Sequence, residues 1–202
     1  MLNRFREFWT RLISPIARLL LRLGVSPDAV TVVGTLGVSF GALFFFPRGQ
    51  LLTGVLVITA FVFSDLVDGH MARLSGTSSS WGAFLDSTLD RLGDAAIFGG
   101  LVLYFMGPGE SDVYAGLALY CLVMGATTSY ARARAESLGM EAKGGLAERA
   151  DRLVAILVMT GLSVIFGQAW FVPFTLAVLA LASTVTVVQR ILAVRRQALA
   201  AA

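Results

Sequence analysis

Cysteine, histidine and lysine each occur once in the 202 residues, and only 14% of the chain is charged. The single cysteine, Cys121, excludes an intramolecular disulfide and a thiolate metal cluster, and its place inside an apolar run marks it as packing. The single histidine, His70, lies one residue off the helical face shared by two nearby aspartates and is read as a packing or interfacial group. Charge this sparse, with 56% hydrophobic residues and a mean hydropathy of +0.78, excludes an ordinary soluble domain. All but one of the 16 basic residues are arginine. They form no soluble basic domain, so lipid headgroups account for them better than nucleic acid does. Repeats, linkers and low-complexity stretches are also lacking, which leaves a single domain spanning residues 1–202.

What the chain does have is apolar runs: 30–46, 51–64, 95–106, 113–130, 153–166 and 171–188. Extended by polar neighbours to the ~20 residues a bilayer requires, they predict an all-α integral membrane protein with six transmembrane helices over 28–196. The second and third runs reach that length only by including acidic residues. Ahead of them, residues 1–24 carry Phe5, Phe8, Trp9, Leu12, Ile13, Ile16, Leu19, Leu20 and Leu23 at helical spacing, with Arg4, Arg11, Arg18 and Arg22 on another face. That pattern predicts an N-terminal interfacial amphipathic helix lying on anionic lipid, kinked or divided at Pro15. Arg4, Arg6 and Arg11 are not followed by a compact apolar region and a small-residue cleavage site, so a cleaved signal is not expected. Of the remaining basic residues only Arg48 falls on the far side. The positive-inside rule therefore predicts a multi-pass cell-membrane protein with cytoplasmic termini and a cytoplasmic acidic stretch.

That acidic stretch carries the chemistry. Asp65 and Asp68 are three residues apart on one predicted helix, and Asp86 and Asp90 four apart on the next, so each pair projects from one face. An ionisable group in a membrane segment costs about 2.5 to 3.5 kcal/mol, so four are retained only if paired, solvated or metal-bound. Two facing carboxylate pairs suit two Mg²⁺ ions, or Mn²⁺, which can clamp a phosphoryl group. Gly69, and Gly76 and Gly82 around the polar run 77–80, allow backbone to approach a nucleotide, and Arg73 can hold a diphosphate oxygen.

The pattern D-x-x-D-G-x-x-A-R-x8-G-x-x-x-D-x-x-x-D, matched at every position from Asp65 to Asp90, resembles the signature of the CDP-alcohol phosphotransferase family. The resemblance implies six membrane helices, a homodimer, and transfer of a substituted phosphoryl group from a CDP-linked donor to an alcohol with release of CMP. It implies that Asp65, Asp68, Asp86 and Asp90 bind metal and that Asp90 is also the general base. The helix start Asp28, Ala29, Val30 and Thr31 resembles the family's nucleotide-contact segment, and Ser79 a further contact, beside Gly69 and Arg73. Capping alone would also explain residues 26–31. With no soluble lipid-handling domain, CDP-diacylglycerol is the natural donor.

Outside the signature, Ser129, Arg132 and Arg134 end the fourth run, Arg149 and Arg152 begin the fifth, and Arg190 nears the end of the sixth. Guanidiniums converging beside a metal site suggest a small anionic acceptor, because they pair bidentately with phosphate. The runs 129–136, 148–153, 189–190 and 90–94 resemble the actinobacterial phosphatidylinositol phosphate synthases within the family. That likeness implies inositol 3-phosphate as acceptor, held by Arg132, Arg152 and Arg190 with Ser129 and Arg149 nearby. The rival acceptor is glycerol 3-phosphate, as in phosphatidylglycerophosphate synthase. The rival from another class is an ion or proton transporter, whose carboxylates would be distributed across the bilayer in repeated halves.

Overall fold

Serine hydroxyls set where three of the helices begin. Ser26 accepts from the Ala29 amide at 3.2 Å, and Pro27 follows at a position where no helical hydrogen bond is lost. Ser79 and Ser111 likewise accept from Gly82 and Tyr114 at 3.0 and 3.4 Å. The computed structural model describes residues 13–77 and 79–200, with Asp65 described by its backbone alone, and every regular element among these residues is helical. The elements are α1 (13–22), α2 (Pro27–Phe40), α3 (Leu51–Val62), α4 (Ser64–Ser75), α5 (Ser80–Met106), α6 (Asp112–Ser137), α7 (Arg149–Ile165) and α8 (Phe171–Ala200). A π turn (Gly41–Phe45) and a 3-10 turn (Phe46–Arg48) continue α2.

Among the described residues, four segments are long and apolar enough to cross a membrane: Pro27–Arg48, Leu51–Ser75, Asp112–Ser137 and Phe171–Ala200. The other two expected spans differ for separate reasons. Helix α5 has 27 residues but carries Asp86, Asp90, Arg91 and Asp94 before Ala95. Helix α7 has 17 residues, a rise of about 26 Å against a hydrocarbon core of ~30 Å. The bundle is membrane-embedded: Leu56, Val154 and Leu181 are 63%, 63% and 69% exposed on its outer surface, where only lipid suits them. Phe46, Ile58, Phe98, Leu101, Ile156 and Leu176 form its interior.

The predicted second helix is in fact two. The Phe63 carbonyl is taken by the Leu66 amide at 3.2 Å in a tight i to i+3 turn, and this separates α3 from α4. Asp65 and Asp68 therefore stand on their own short helix. Residues 13–22 are helical and include Pro15, and the turn before it, where a proline kinks or divides a helix, lies mostly outside the described residues. The amphipathic positions Phe5, Phe8, Trp9 and Leu12 lie outside the described residues. Helix α1 buries Ile13 and Ala17 and exposes Ile16 and Leu19, with Leu23 exposed in the turn that follows.

A glycine row sets the approach of α2 to its neighbours. Cβ atoms at Gly34 and Gly37 would collide with the side chains of Ser64 and Phe61, and one at Gly41 would lie 2.9 Å from Ile58 Cγ1. Without side chains there, α4 packs directly on the α2 backbone, which brings Asp68 to Thr31 one turn before Gly34.

Candidate active site

A cavity of about 270 Å³ opens where α2, α4 and α5 meet. Its walls are Pro27, Asp28 and Thr31 of α2, Asp68, Gly69, Ala72 and Arg73 of α4, Thr77 and Ser79 of the connecting loop, and Gly82, Ala83 and Asp86 of α5. Gly76, at φ 67°, takes the left-handed conformation that ends α4 and turns the chain back over this space. First turns of α2 and α5 both face the cavity, so two helix N-termini direct positive partial charge at it. Arg73 adds a full positive charge, while Asp68 and Asp86 supply carboxylates from two helices. Gly69 and Gly82 keep the volume open, since added Cβ atoms would lie 3.7 Å from Arg73 Nη1 and 3.5 Å from Ser79 Oγ.

Two of the cavity's carboxylates, Asp68 and Asp28, have defined neighbours. Thr31 donates to Asp68 Oδ2 at 2.5 Å, fixing one oxygen of a buried side chain. Trp81 donates its indole N–H to Asp28 Oδ2 at 3.0 Å, and its ring lies 6.0 Å from that of Phe84, tilted by 32°. Ala29 and Val30 share the first turn of α2 but do not line the cavity. Hard carboxylate oxygens from facing helices, with a hydroxyl orienting one of them, are a donor set that fits Mg²⁺ or Mn²⁺. No three acidic, histidine or cysteine side chains already converge among the described residues, and the Asp65 side chain lies outside them.

Asp90 is set apart from the other carboxylates. It borders a void of about 10 Å³ between α2, α5 and α7, together with Thr35, Val38, Gly93 and Arg149. Arg149 Nη1 lies 2.9 Å from Asp90 Oδ1, and Arg91 Nη2 lies 3.5 Å from Oδ2. The same Arg149 donates Nε to Asp94 Oδ1 at 3.0 Å, and Arg152 Nη2 reaches Asp94 Oδ2 at 3.5 Å. Helix α7 can present both arginines in its first turn because a capping box of Glu148 and Asp151 satisfies its terminal amides.

The remaining acceptor-side residues take different stations. Arg152 is fully buried and donates Nη1 to the Ala147 carbonyl at 3.0 Å. Its guanidinium lies over Gly125 of α6, where a Cβ would stand 3.2, 3.3 and 3.4 Å from Nε, Nη2 and Cζ. Arg190 is also buried, donating to the Thr128 carbonyl at 2.6 Å and to the Gly144 carbonyl at 3.2 Å. Arg132 is exposed and paired with Glu136 at 3.0 Å, and Ser129 donates to the Gly125 carbonyl at 3.2 Å. Arg152 and Arg190 thus anchor the segment between α6 and α7, while Arg132 and Arg149 keep some exposure. Thr186 completes the anchoring by accepting from the Leu146 and Ala147 amides at 3.0 and 3.3 Å.

The structure brings Asp28, Thr31, Asp68, Gly69, Arg73, Ser79 and Asp86 around one cavity and joins Asp90 to the arginines through Arg149. Asp94, Trp81 and Gly125 were not among the expected site residues. Of these only Asp94 had a signal, its four-residue spacing from Asp90.

The sequence profile of the CDP-alcohol phosphatidyltransferase family matches residues 24–188. A phosphatidylinositol phosphate synthase of Cutibacterium acnes is 52% identical over 203 residues, covering 97% of this chain and 98% of that protein. One from Streptomyces avermitilis is 50% identical over 204 residues, covering 98% of this chain and 84% of that protein. The fold is similar to the crystal structure of Mycobacterium tuberculosis phosphatidylinositol phosphate synthase with CDP-DAG bound, with a TM-score of 0.86 and 40% identity, over 91% of this chain and 94% of that one. That enzyme in complex with manganese and citrate matches at a TM-score of 0.84 and 40% identity, over 90% of this chain and 88% of that one. Matched by its profile across the helical bundle and by relatives over nearly its whole length, the chain belongs to the CDP-alcohol phosphatidyltransferase family.

Proposed function

We propose that this protein is a phosphatidylinositol phosphate synthase, transferring the phosphatidyl group of CDP-diacylglycerol to inositol 3-phosphate and releasing CMP. The observation that carries this reading is the junction of two sites. Asp86 lines the signature cavity of α2, α4 and α5, and Asp90, four residues further along α5, is joined to the arginines of α7 by a 2.9 Å contact with Arg149. The 52% and 50% identical relatives named for this activity support the choice within the family.

In this reading the diphosphate of the donor lies against the N-termini of α2 and α5 and beside Arg73. Asp28, held by Trp81, and Ser79 face the nucleotide. Asp65, Asp68, Asp86 and Asp90 would hold two Mg²⁺, or Mn²⁺, whose chemistry is to draw negative charge from the diphosphate. The acceptor phosphate is drawn to the positive end of the bundle formed by Arg132, Arg149, Arg152 and Arg190, with Ser129 beside them. One hydroxyl of the ring then attacks phosphorus in line, its proton passes to the Asp90 carboxylate, and the P–O bond to CMP breaks. Charge at this end also disfavours a neutral acceptor, which offers the guanidiniums nothing to pair with.

The architecture that goes with this function is a single domain of six spans in the cell membrane, with its termini and both pockets toward the cytoplasm. Helix α1 then lies at the interface with Ile16, Leu19 and Leu23 in lipid, and two copies form a homodimer. The test is CMP release by the purified protein from CDP-diacylglycerol and Mg²⁺, with inositol 3-phosphate, glycerol 3-phosphate or free inositol as acceptor. Turnover with inositol 3-phosphate that stops on chelation supports the reading. Turnover with glycerol 3-phosphate in its place would keep the cavity and reassign the arginines. Metal-independent ion uptake into vesicles without CMP release would reject both.

A further inference from the structure

Asp94 lies outside the family signature, one turn beyond Asp90 on the same face of α5. It is buried, and both of its oxygens are engaged by arginines of α7: Oδ1 by Arg149 Nε at 3.0 Å and Oδ2 by Arg152 Nη2 at 3.5 Å. Arg149 is thereby caught between two carboxylates of one helix face, with Nε on Asp94 and Nη1 on Asp90 at 2.9 Å. A guanidinium is planar, so two contacts from different edges fix both its place and its tilt. Arg152 is fixed the same way, by Asp94 at one edge, the Ala147 carbonyl at another and the bare backbone of Gly125 against its face.

We infer that Asp94 is a positioning residue for acceptor selection: it holds Arg149 at a set distance from Asp90, so that an acceptor whose phosphate pairs with Arg149 presents a hydroxyl to the Asp90 carboxylate. The inference rests on the acceptor reading above and adds the group that makes a phosphorylated acceptor productive. Charge points the same way. Arg149 and Arg152, without Asp94, would repel one another in a buried setting and draw toward Asp90, whereas a carboxylate between them lets both stand at the junction. The donor cavity does not include Asp94, so the donor's binding should not register its loss.

The experiment is steady-state kinetics in detergent micelles on Asp94→Asn, Arg149→Lys and the double variant, varying inositol 3-phosphate and CDP-diacylglycerol separately. Melting temperature is measured alongside. Asp94→Asn is expected to lower kcat/KM for inositol phosphate about 10- to 100-fold, as for loss of a charge-assisted contact, with the KM for CDP-diacylglycerol unchanged. Arg149→Lys keeps the charge but cannot bridge two carboxylates, and should give the same signature. The double variant should be little worse than either single one, because both changes remove the same arrangement. Losses that multiply, or that fall equally on both substrates, would overturn the positioning role. If Asp94→Asn does not fold, Arg149→Lys alone decides between acceptor-specific and general loss. Failure of the wild-type protein to use inositol phosphate would instead remove the acceptor reading, so the two failures are distinct.

Discussion

At the scale of single residues, the site is governed by what holds each carboxylate. Thr31 donates to Oδ2 of a buried Asp68 and so helps to orient that carboxylate. Partners that orient a ligand of this kind are worth about 10- to 100-fold in metal affinity or activity. Thr31→Val is therefore expected to raise the Mg²⁺ concentration for half-maximal CMP release by roughly that factor, while Thr31→Ser stays near wild type. A Mg²⁺ titration of both variants checks this. An unchanged metal requirement in Thr31→Val would show that the hydroxyl serves packing alone.

At the scale of elements, the site depends on the approach of α4 to α2. Gly34 makes that approach possible, since an added Cβ would collide with Ser64 at the start of α4. Gly34→Ala is expected to cost about 1 to 3 kcal/mol, the usual range for overpacking, and to reduce turnover further by moving Asp68 off Thr31. Gly99 of α5 has nothing within 4 Å of the same added atom, so Gly99→Ala is the matched control and should leave activity unchanged and melting temperature no lower than wild type, since alanine is the better helix former. The contrast is read by thermal melts with a parallel CMP assay. Helix faces were legible from the sequence because a 3.6-residue period places Asp86 beside Asp90 whatever the surroundings. The division at Phe63 was not, because an apolar run gives no sign of where one carbonyl changes its partner. Nor was the pairing of Asp94 with Arg149, which joins residues 55 apart and is decided by how α5 and α7 meet. Trp81 gave no warning either, since its indole finds Asp28 only once α5 has packed against α2.

At the scale of the whole molecule, the bundle places most of its sparse charge at one end, with Arg48, Glu110 and Asp112 at the other, and apolar side chains around its flanks. Helix α8, with 30 residues, rises about 45 Å and so outruns a ~30 Å hydrocarbon core, carrying Arg195 and Arg196 beyond it while Arg190 stays buried. At the charged end α5 runs from Asp86 in the signature cavity to Asp90 beside Arg149 of α7. The central claim, that this junction makes phosphatidylinositol phosphate, is tested most directly by the lipid itself. The purified protein is placed in vesicles with CDP-diacylglycerol, Mg²⁺ and equal amounts of inositol 3-phosphate and glycerol 3-phosphate, and the product is identified by mass spectrometry. Phosphatidylinositol phosphate as the dominant new lipid is the predicted result; phosphatidylglycerophosphate in its place, or no new lipid, would contradict it.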